Sequence, residues 1–481
     1  MMKFTLENQY DVRVYPVFTS NPSNGIPLLE TLKARDLFSG KNGEIFYQMG
    51  EADKPTIVLI GLGAAKDVCA NCLRKAYFKV GQQLRTHREQ KATIVLPEGL
   101  QLSEKEVIQS ICEGLLHSTY QFDHHKSDVK PAVSLTIAFD GVVDQAAAKA
   151  GIDLAQTLME GVFITRDLVN EPANVIYPET LAQRAEAILS PLGVEVQIHD
   201  RESIEQIGMK AFLTVARGSA KAPKLIVMNY NGNPDSSERT ALVGKGLTYD
   251  SGGYSIKPTT SMDTMFCDMG GAGTVIGTMA VLAKLKPRVN VTAVVAACEN
   301  MISGDAYRPG DIIETMAGKS VHIVNTDAEG RLTLADAVYF ATAKDHLNCD
   351  RVIDLATLTG ACLVALGEFY TGVLTNDEAF EADFEKAAKR AGERVWRLPN
   401  DPDFADFNKA EMADLKNTGG RFGGTITAGQ FVGAFVADEK PWIHLDIAGT
   451  AYIEKAYGYL NKGATGVHVQ ALTYLLCGDE I

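Results

Sequence analysis

The sequence predicts an α/β fold in which a smaller N-terminal α/β domain is joined by a helix to a larger C-terminal α/β domain with a mixed central sheet. Short apolar runs rich in β-branched residues alternate with helix-like runs along the chain, which is the pattern of strands connected by helices. The chain contains 481 residues, more than one hydrophobic core usually organises. Two domains are therefore expected.

The smaller domain is predicted to cover residues 1–144. Gly61-Leu62-Gly63 follows its first strand but lacks the third glycine of a dinucleotide-binding fingerprint and the Gly-Lys-Ser/Thr of a phosphate loop. We interpret it as a turn between a strand and a helix. The predicted strands of this domain lie at 56–60, 93–96 and 134–139, and a predicted helix lies at 103–117.

Residues 145–174 are predicted to form a connecting helix. Apolar residues recur at helical spacing up to residue 169, and a turn signal of sequence NEPAN then ends the helix. The larger domain is expected at 175–481. Its predicted strands lie at 194–198, 224–230, 240–244, 289–298, 352–357 and 442–447, and its predicted helices include 271–285, 328–343 and 428–437.

The charge balance limits the possible partners. Asp and Glu outnumber Lys and Arg by 60 to 46, giving a net charge of −14, which argues against a general affinity for nucleic acid or anionic lipid. The N-terminus lacks the apolar core of a signal peptide, and no apolar run approaches the length of a membrane span. We expect a cytoplasmic protein without a membrane partner.

The eight cysteines are scattered singly, apart from one pair. Cys69 and Cys72 form a Cys-x-x-Cys pattern, but no second pair follows at the spacing of a zinc ribbon. Reduced thiols of a cytosolic protein are the favoured interpretation of this pair.

Charged residues concentrate in two segments of the larger domain, 245–268 and 325–331. The predicted strands 240–244 and 320–324 end just before these segments, and open α/β sheets bind ligands beyond the carboxyl ends of their strands. We expect the two segments to meet there. Together they contain four carboxylates and three cations between apolar neighbours: Asp250, Asp268, Asp327, Glu329, Lys245, Lys257 and Arg331.

Four converging carboxylates predict a site for two metal ions. Without metal they would repel one another, which would raise their pKa values. Two divalent cations would balance the four negative charges, activate a bridging water and polarise the oxygen under attack. The mainly oxygen ligands leave Zn²⁺, Mn²⁺ and Mg²⁺ open. The alternative is a set of surface loops and ion pairs, because acidic residues at a helix start favour the helix dipole without any function.

The segment 325–332, of sequence NTDAEGRL, matches the signature of the leucyl aminopeptidase (cytosol aminopeptidase) family without a substitution, and the chain resembles that family. Lys245, Asp250, Lys257 and Asp268 fall at the family's spacing. The resemblance covers the C-terminal two thirds well and the N-terminal third in pattern only. It also includes the segments 167–174, 298–301, 356–360 and 444–449.

The resemblance implies which residues hold the two metals. Asp250, Asp327 and Glu329 would bind one, assisted by the main-chain carbonyl of Asp327. Lys245, Asp250, Asp268 and Glu329 would bind the other, so that Asp250 and Glu329 bridge. A lysine can ligate only as a neutral amine, so Lys245 is expected to have a strongly lowered pKa.

The resemblance also implies the reaction. A metal-bridging hydroxide would attack the first peptide carbonyl and release the N-terminal amino acid, with leucine and similar apolar residues favoured. Lys257 would stabilise the developing oxyanion. Arg331 would hold a bicarbonate ion that acts as the general base; a structural pair with a carboxylate is its alternative role. The implied substrate pocket contains Met265, Thr357 and Gly360, with Ser255 nearby.

In this interpretation residues 175–481 form a catalytic metallopeptidase domain, and the native assembly is a homohexamer, a dimer of trimers. Zn²⁺ or Mn²⁺ are the implied cofactors, with Mg²⁺ an option in one site. A DNA-binding or scaffold role and an inactive relative are the other hypotheses; the acidic charge disfavours the first, and the filled catalytic positions disfavour the second. The absence of an HExxH motif excludes a zincin-type protease.

Overall fold

The structure is a computed structural model that describes residues 2–7, 10, 12–20, 26–51, 54–129 and 133–481, with the backbone alone at Asp479. The chain divides into two compact units. The first unit comprises Met1–Met159 with Ala456–Asn461, and the second comprises Glu160–Lys455 with Lys462–Ile481. Both are α/β, and the larger one has a mixed sheet, which confirms the predicted fold class.

The described residues of the first unit form one sheet with helices between its strands. The strands are β1 (Met2–Thr5), β2 (Arg13–Phe18), β3 (Ile45–Gln48), β4 (Ile57–Gly63), β5 (Lys91–Val95) and β6 (Leu135–Asp140); the helices are α1 (Pro27–Ala34), α2 (Ala70–Thr86) and α3 (Glu104–His117). The strand order is β1-β6-β5-β2-β4-β3. All neighbours are parallel except β3 and β4.

Helix α4 (Gln145–Asn170) contributes residues to both units. It covers most of the predicted connecting segment, while the limits 1–144, 145–174 and 175–481 of the three predicted regions stay a prediction. Among the described residues, no helix has both the length and the apolar composition needed to cross a membrane.

The predicted turn at Gly61-Leu62-Gly63 is wrong, because β4 continues through Gly63. A Cβ atom on Gly61 would lie 2.1 Å from the carbonyl oxygen of Lys41. Glycine inside a strand often marks such a close approach of another backbone segment. The glycine therefore reflects packing against a neighbouring loop and does not mark the end of the strand.

The second unit is built on an eight-stranded sheet with the order β15-β14-β17-β13-β9-β10-β8-β7. Its strands are β7 (Glu195–His199), β8 (Lys224–Asn231), β9 (Thr240–Asp250), β10 (Asn290–Asn300), β13 (Arg351–Ala356), β14 (Thr371–Thr375), β15 (Val395–Arg397) and β17 (Trp442–Asp446). The four neighbouring strands β17, β13, β9 and β10 are parallel. Antiparallel pairs join β14 to β17, β10 to β8, and β8 to β7.

Smaller sheets and the helices complete this unit. A three-stranded sheet contains β11 (Ile312–Glu314), β12 (Ser320–His322) and β16 (Leu415–Lys416), and a two-stranded sheet contains β18 (Tyr452–Ile453) and β19 (Gly463–Ala464). The helices are α5 (Pro178–Leu189), α6 (Arg201–Ile207), α7 (Lys210–Ala216), α8 (Thr259–Met262), α9 (Gly270–Leu285), α10 (Gly330–Thr342), α11 (Gly360–Leu366), α12 (Glu378–Ala391), α13 (Pro402–Ala405), α14 (Gly424–Gly433) and α15 (Val469–Cys477). Short 3₁₀ turns lie at Ala65–Asp67, Ser190–Leu192, Met265–Cys267, Asp406–Asn408, Ala437–Glu439 and Gly478–Glu480.

The strand predicted at 240–244 is too short, and the expectation that Lys245 follows it is wrong. Strand β9 runs to Asp250, so Lys245 lies inside it. A Cβ atom on Gly244 would lie 2.6 Å from the carbonyl oxygen of Gly271 on α9. The segment Gly244-Lys245-Gly246 resembles a turn in sequence, but it belongs to a strand against which α9 packs closely. The predicted start of α14 at 428 is also late, because the helix begins at Gly424.

Close packing of α9 against the sheet leads to a stability prediction. A Cβ atom on Gly271 would lie 2.0 Å from the carbonyl oxygen of Leu355 on β13 and 2.8 Å from the backbone nitrogen of Lys245. Gly271→Ala should lower the free energy of unfolding by about 3 kcal/mol, because the backbones must separate. Gly304→Ala is the control, since a Cβ atom there meets nothing within 4 Å, and a change below about 1 kcal/mol is expected. Equal denaturant midpoints for the two variants would contradict the packing argument.

Candidate active site

The segment 325–331 forms a loop that leads into α10. Asn417 holds this loop: its Oδ1 accepts hydrogen bonds from the backbone N–H groups of Val324 and Asn325 at 2.8 and 3.3 Å, and its Nδ2 donates to the Asn325 carbonyl at 2.6 Å. The Asp327 N–H donates to Asn325 Oδ1 at 2.8 Å. These bonds place Asp327 and Glu329 on the side of the loop that faces β9.

The end of β9 supplies the second part of the site. Asp250 is its last residue and is 2% exposed. Asp250 Oδ1 accepts hydrogen bonds from the Gly252 N–H at 2.9 Å and from Asn300 Nδ2 at 2.8 Å. Gly252 has a φ of +82°, a conformation that favours glycine, and a Cβ atom there would lie 2.9 Å from Asp327 Oδ1. The tight turn thereby brings both polar segments together, as the sequence predicts.

Each lysine lies between two carboxylates. Lys245 Nζ lies 2.7 Å from Asp268 Oδ2 and 3.1 Å from Glu329 Oε1, and it donates a hydrogen bond to the Thr357 carbonyl at 2.9 Å. Lys257 Nζ lies 2.8 Å from Asp250 Oδ2 and also contacts Asp327 Oδ1.

A side chain at the start of α10 would displace the amine of Lys245. A Cβ atom on Gly330 would lie 2.4 Å from Lys245 Cε and 2.7 Å from Nζ. Farther along α10, Leu332 and Ala335 share an apolar cluster with Val243 of β9. This packing holds the first turn of the helix against the strand that contains Lys245.

The crowded charges shift the pKa values of the carboxylates in different directions. Burial raises the pKa of Asp268 to about 7 and that of Asp327 to about 6, although nearby lysines act in the opposite direction. Burial and the charge of Glu329 also raise the pKa of Asp250. Burial disfavours the charged form of Glu329 as well, but Lys245 and Lys257 outweigh it and lower the pKa of Glu329.

The carboxylates raise the pKa values of both lysines. Burial lowers the pKa of Lys245, but the charges of Asp268 and Glu329 outweigh burial. The same competition with Asp250 raises the pKa of Lys257. A neutral Lys245 therefore requires the additional positive charge of metal ions, and its expected low pKa stays a prediction that depends on them.

The donor atoms fit a divalent cation. Asp250, Asp327 and Glu329 each offer a carboxylate oxygen, and these oxygens lie within 4.8 Å of one another. Glu329 Oε2 is buried without a hydrogen-bond partner within the described residues. A buried anionic oxygen that lacks a partner is costly unless a cation binds it. Asp268 lies on the other side of Lys245 and adds a fourth carboxylate to the group.

Arg331 lies one residue into α10 and is 7% exposed. Its Nε has no hydrogen-bond partner, and no carboxylate forms an ion pair with it among the described residues. Burial lowers its pKa to about 10. The charges of Glu329 and Asp446 act on Arg331 in the opposite direction to burial, although neither carboxylate forms an ion pair with it in the part of the chain that the structure describes. The choice between a catalytic and a structural role of Arg331 stays a prediction.

Two of the four predicted substrate residues, Met265 and Thr357, lie beside Asp268. Met265 is half-buried in the 3₁₀ turn that precedes Asp268. Thr357 Oγ1 donates to Asp268 Oδ1 at 2.7 Å, and Gly360 is exposed at the start of α11. The Ser255 hydroxyl accepts a hydrogen bond from the Thr326 N–H at 3.1 Å, so Ser255 joins the two polar segments. Contact of these four residues with substrate stays a prediction.

Sequence reasoning assigned no role to three residues that support the site. Asn300 Nδ2 donates to Asp250 Oδ1 and to the Thr326 carbonyl at 3.0 Å. Tyr307 Oη donates to the same carbonyl at 2.8 Å. Asn417 holds the loop 325–331 through its bonds to Val324 and Asn325. Asn300 stands in the segment 298–301, which carries part of the family resemblance, and that was the one signal that could have identified it.

Comparisons with known proteins identify the family to which the chain belongs. The sequence model of the cytosol aminopeptidase family catalytic domain matches residues 163–473. The model of that family's N-terminal domain matches residues 21–129. The chain belongs to the cytosol aminopeptidase family. The resemblance to this family that the sequence motifs indicated is confirmed. The two family models match segments of both units.

Relatives and solved structures agree with this assignment. The aminopeptidase is 51% identical over 479 residues to a probable cytosol aminopeptidase of Treponema denticola, with 99% of each chain covered. It is 45% identical over 481 residues to one of Clostridium tetani, again with 99% of each covered. The bottromycin maturation enzyme BotP in complex with Mn superposes with a TM-score of 0.89 at 29% identity over 97% of this chain and 99% of BotP. A mutant of tomato leucine aminopeptidase gives 0.88 at 30% identity over 99% and 96%.

Membership of this family establishes the enzyme class. The protein is a metallo-aminopeptidase, a hydrolase that acts on peptides and uses divalent metal ions. The predicted enzyme class is confirmed, and the acidic cluster around Glu329 is consistent with metal binding.

Proposed function

We propose that the protein is a dinuclear-metal aminopeptidase that releases N-terminal amino acids from peptides. The convergence of carboxylate oxygens from Asp250, Asp327 and Glu329 within 4.8 Å supports this proposal above all. Asp268 and Lys245 extend the donor set, because Lys245 Nζ contacts both Asp268 and Glu329. A single ion held by Asp250, Asp327 and Glu329 would leave Lys245 and Asp268 outside the metal centre.

Two ions account for all five donors. Asp250, Asp327 and Glu329, with the Asp327 carbonyl, would hold one ion, and Lys245, Asp250, Asp268 and Glu329 would hold the other. The bound ions would supply a nucleophile made from water at neutral pH and would polarise the scissile carbonyl. The oxygen-rich set suits Zn²⁺ or Mn²⁺, and Mg²⁺ in one site.

Lys257 is proposed to stabilise the oxyanion that develops on the peptide carbonyl. Its Nζ lies at the edge of the carboxylate cluster, where it contacts Asp250 and Asp327. Burial lowers the pKa of Lys257, but the charges of Asp250 and Glu329 outweigh burial and raise it, which favours the protonated amine. A protonated amine at this position would donate to the oxygen that gains charge as the peptide carbonyl is attacked.

Arg331 is proposed to bind a bicarbonate ion, and this ion is proposed to act as the general base. The carboxylates of the cluster are all used as metal ligands in this proposal, so none of these described side chains is left to accept a proton. A buried guanidinium whose Nε has no hydrogen-bond partner among the described residues suits a small planar anion.

Arg331→Ala should lower kcat by about 10²-fold with little loss of bound metal, because proton transfer typically contributes about this much or more. In carbonate-depleted buffer, added bicarbonate should raise the wild-type rate and leave the variant unchanged. Metal content and thermal unfolding are measured in parallel. Loss of metal and folding together would favour a structural role for Arg331.

The substrate preference is proposed to be leucine and similar apolar residues. Met265 and Thr357 would provide an apolar wall and Gly360 an open edge, because a Cβ atom on Gly360 meets nothing within 4 Å. Ser255 is a weaker candidate for substrate contact, since its hydroxyl already accepts a bond from the Thr326 N–H.

A metal-exchange experiment tests the proposed function. The purified protein is stripped with a chelator, metal content is measured, and Zn²⁺, Mn²⁺ and Mg²⁺ are titrated back while leucine, alanine and glutamate anilides are hydrolysed. We expect activity to be lost with the metal and to return as two ions bind per chain, with leucine cleaved fastest. Full activity with one ion per chain would overturn the dinuclear assignment, and a faster rate with glutamate would overturn the apolar preference.

The assembly is proposed to be a homohexamer, a dimer of trimers, located in the cytoplasm. The family resemblance and the naming of relatives as cytosol aminopeptidases support this proposal. Size-exclusion chromatography with light scattering should give six times the mass of one chain for the active species. A stable, fully active monomer would contradict the hexamer.

A further inference from the structure

The Cys69 and Cys72 pair lies at the start of α2 in the first unit. Cys69 is the N-cap residue of this 17-residue helix, and its sulfur accepts a hydrogen bond from the Cys72 N–H at 3.3 Å. The two sulfur atoms lie 2.7 Å apart. A disulfide bond measures about 2.05 Å, so a small movement of the side chains would join them.

These two thiols are accessible, and the other six cysteines are not. Cys69 is exposed and Cys72 is half-buried, whereas all the others are buried. Cys112, in the same unit, is fully buried, and burial raises its pKa well above the usual range of a thiol. Any reagent in solution that reacts with a thiol of this fold therefore meets Cys69 first.

The two thiols have unequal reactivity. The hydrogen bond from the Cys72 thiol, together with backbone N–H groups of the first helical turn, lowers the pKa of Cys69 to about 5. The interaction with Cys69 and burial raise the pKa of Cys72, and the Asp67 carbonyl oxygen lies 3.8 Å from the Cys72 sulfur. Cys69 is therefore the thiolate of the pair, in the position where helix N-termini favour negative charge.

The helix that carries the pair is anchored. Two residues beyond Cys72, the buried Arg74 forms an ion pair with the buried Glu113 of α3. Leu73 is also fully buried. The first turn of α2 is thus fixed, and the two sulfurs stay close while their side chains remain open to solvent.

We propose that Cys69 and Cys72 form a thiol–disulfide exchange site for low-molecular-weight disulfides, which goes beyond the proposed peptidase function. The Cys69 thiolate attacks one sulfur of the disulfide RSSR, forms the mixed disulfide and releases RS⁻. Cys72 then loses its proton and attacks Cys69 Sγ, which forms the internal disulfide and releases the second RS⁻. The two cysteines are oxidised by two electrons and RSSR is reduced to two RS⁻ groups, one of which takes the proton of Cys72 while the other takes a proton from water.

Peptide mapping of the full-length protein tests this site. The reduced protein is exposed, while folded, to bis(2-hydroxyethyl) disulfide. The reagent is removed, the chain is unfolded in the presence of an alkylating agent that captures every remaining thiol, and it is then digested with trypsin. Cleavage after Lys66 and Arg74 yields a peptide 67–74 that contains both cysteines and no other. We expect this peptide to lose two hydrogens and to escape alkylation, whereas Cys112 is recovered as an alkylated thiol.

Single variants separate the two roles. Cys72→Ser should retain the mixed disulfide on Cys69, and Cys69→Ser should react at Cys72 at least about tenfold more slowly. Serine is itself a favoured N-cap residue, so Cys69→Ser preserves the start of α2, and an unchanged thermal transition verifies folding. Cys112→Ser is the matched control and should form the internal disulfide as the wild type does. Mixed adducts without an internal disulfide in the wild type, or equal rates in the two single variants, would overturn the proposal.

Discussion

Replacing Glu329 by glutamine should reduce kcat/KM by about 10³-fold or more, because a metal centre supplies several kcal/mol of transition-state stabilisation. Glu329 is 2% exposed, its Oε1 lies 3.1 Å from Lys245 Nζ, and its Oε2 has no hydrogen-bond partner within the described residues. Glutamine keeps the shape of the side chain and removes the negative charge. In the proposed centre Glu329 would help to hold both ions, so its replacement would weaken the binding of both.

Metal content distinguishes this cause from unfolding. The Glu329→Gln variant should bind fewer ions per chain than the wild type while its far-ultraviolet circular dichroism is unchanged. Glu381→Gln makes the same chemical change at a buried carboxylate on α12, outside the cluster, and should leave both metal content and activity unaltered. Wild-type rates for Glu329→Gln would refute the assignment of this residue as a ligand.

Replacing Lys257 by methionine should lower kcat by about 10²–10³-fold, the usual effect of removing one donor to a developing oxyanion. Methionine keeps most of the apolar stem and deletes the charge. Because Lys257 is proposed to act on the transition state, KM should change much less than kcat. Lys257 contacts Asp250 and Asp327, but it is not itself assigned to a metal, so the variant should retain the full complement of ions.

The matched control for Lys257 is Lys284→Met on α9. Lys284 pairs with Glu160 near the surface and lies outside the carboxylate cluster, so its variant should turn over substrate at the wild-type rate. A Lys257→Met protein that loses metal in proportion to activity would show that Lys257 only organises the carboxylates. Preserved kcat in that variant would remove Lys257 from the mechanism altogether.

Much of the second unit could be predicted because its strands are long apolar runs. Strand β10 is buried along its whole length, and a strand covered on both faces is a continuous hydrophobic segment in sequence. Prediction failed where packing overrode local preference. Gly244 lies within β9, where the missing side chain allows α9 to approach the strand closely. In the sequence alone, a glycine at this position resembles part of a turn.

The supporting polar residues could not be predicted from local pattern. Asn300 and Asn417 are single amides in otherwise ordinary segments, and their roles depend on bonds to residues far away in sequence. A hydrogen-bond donor has no periodic signature, unlike an apolar helix face. Only the folded chain shows which carbonyl or carboxylate each amide reaches.

The sequence by itself determined the chemistry of the site, because the identity of the donors is a property of the residues: carboxylates at 250, 268, 327 and 329, and cations at 245, 257 and 331. The tertiary structure decided how these groups pair. Lys245 reaches the Thr357 carbonyl across 112 positions of the chain, and Gly330 leaves the space that its amine occupies. Such contacts arise only when β9, β13 and α10 pack together, since distances between remote residues are set by the fold.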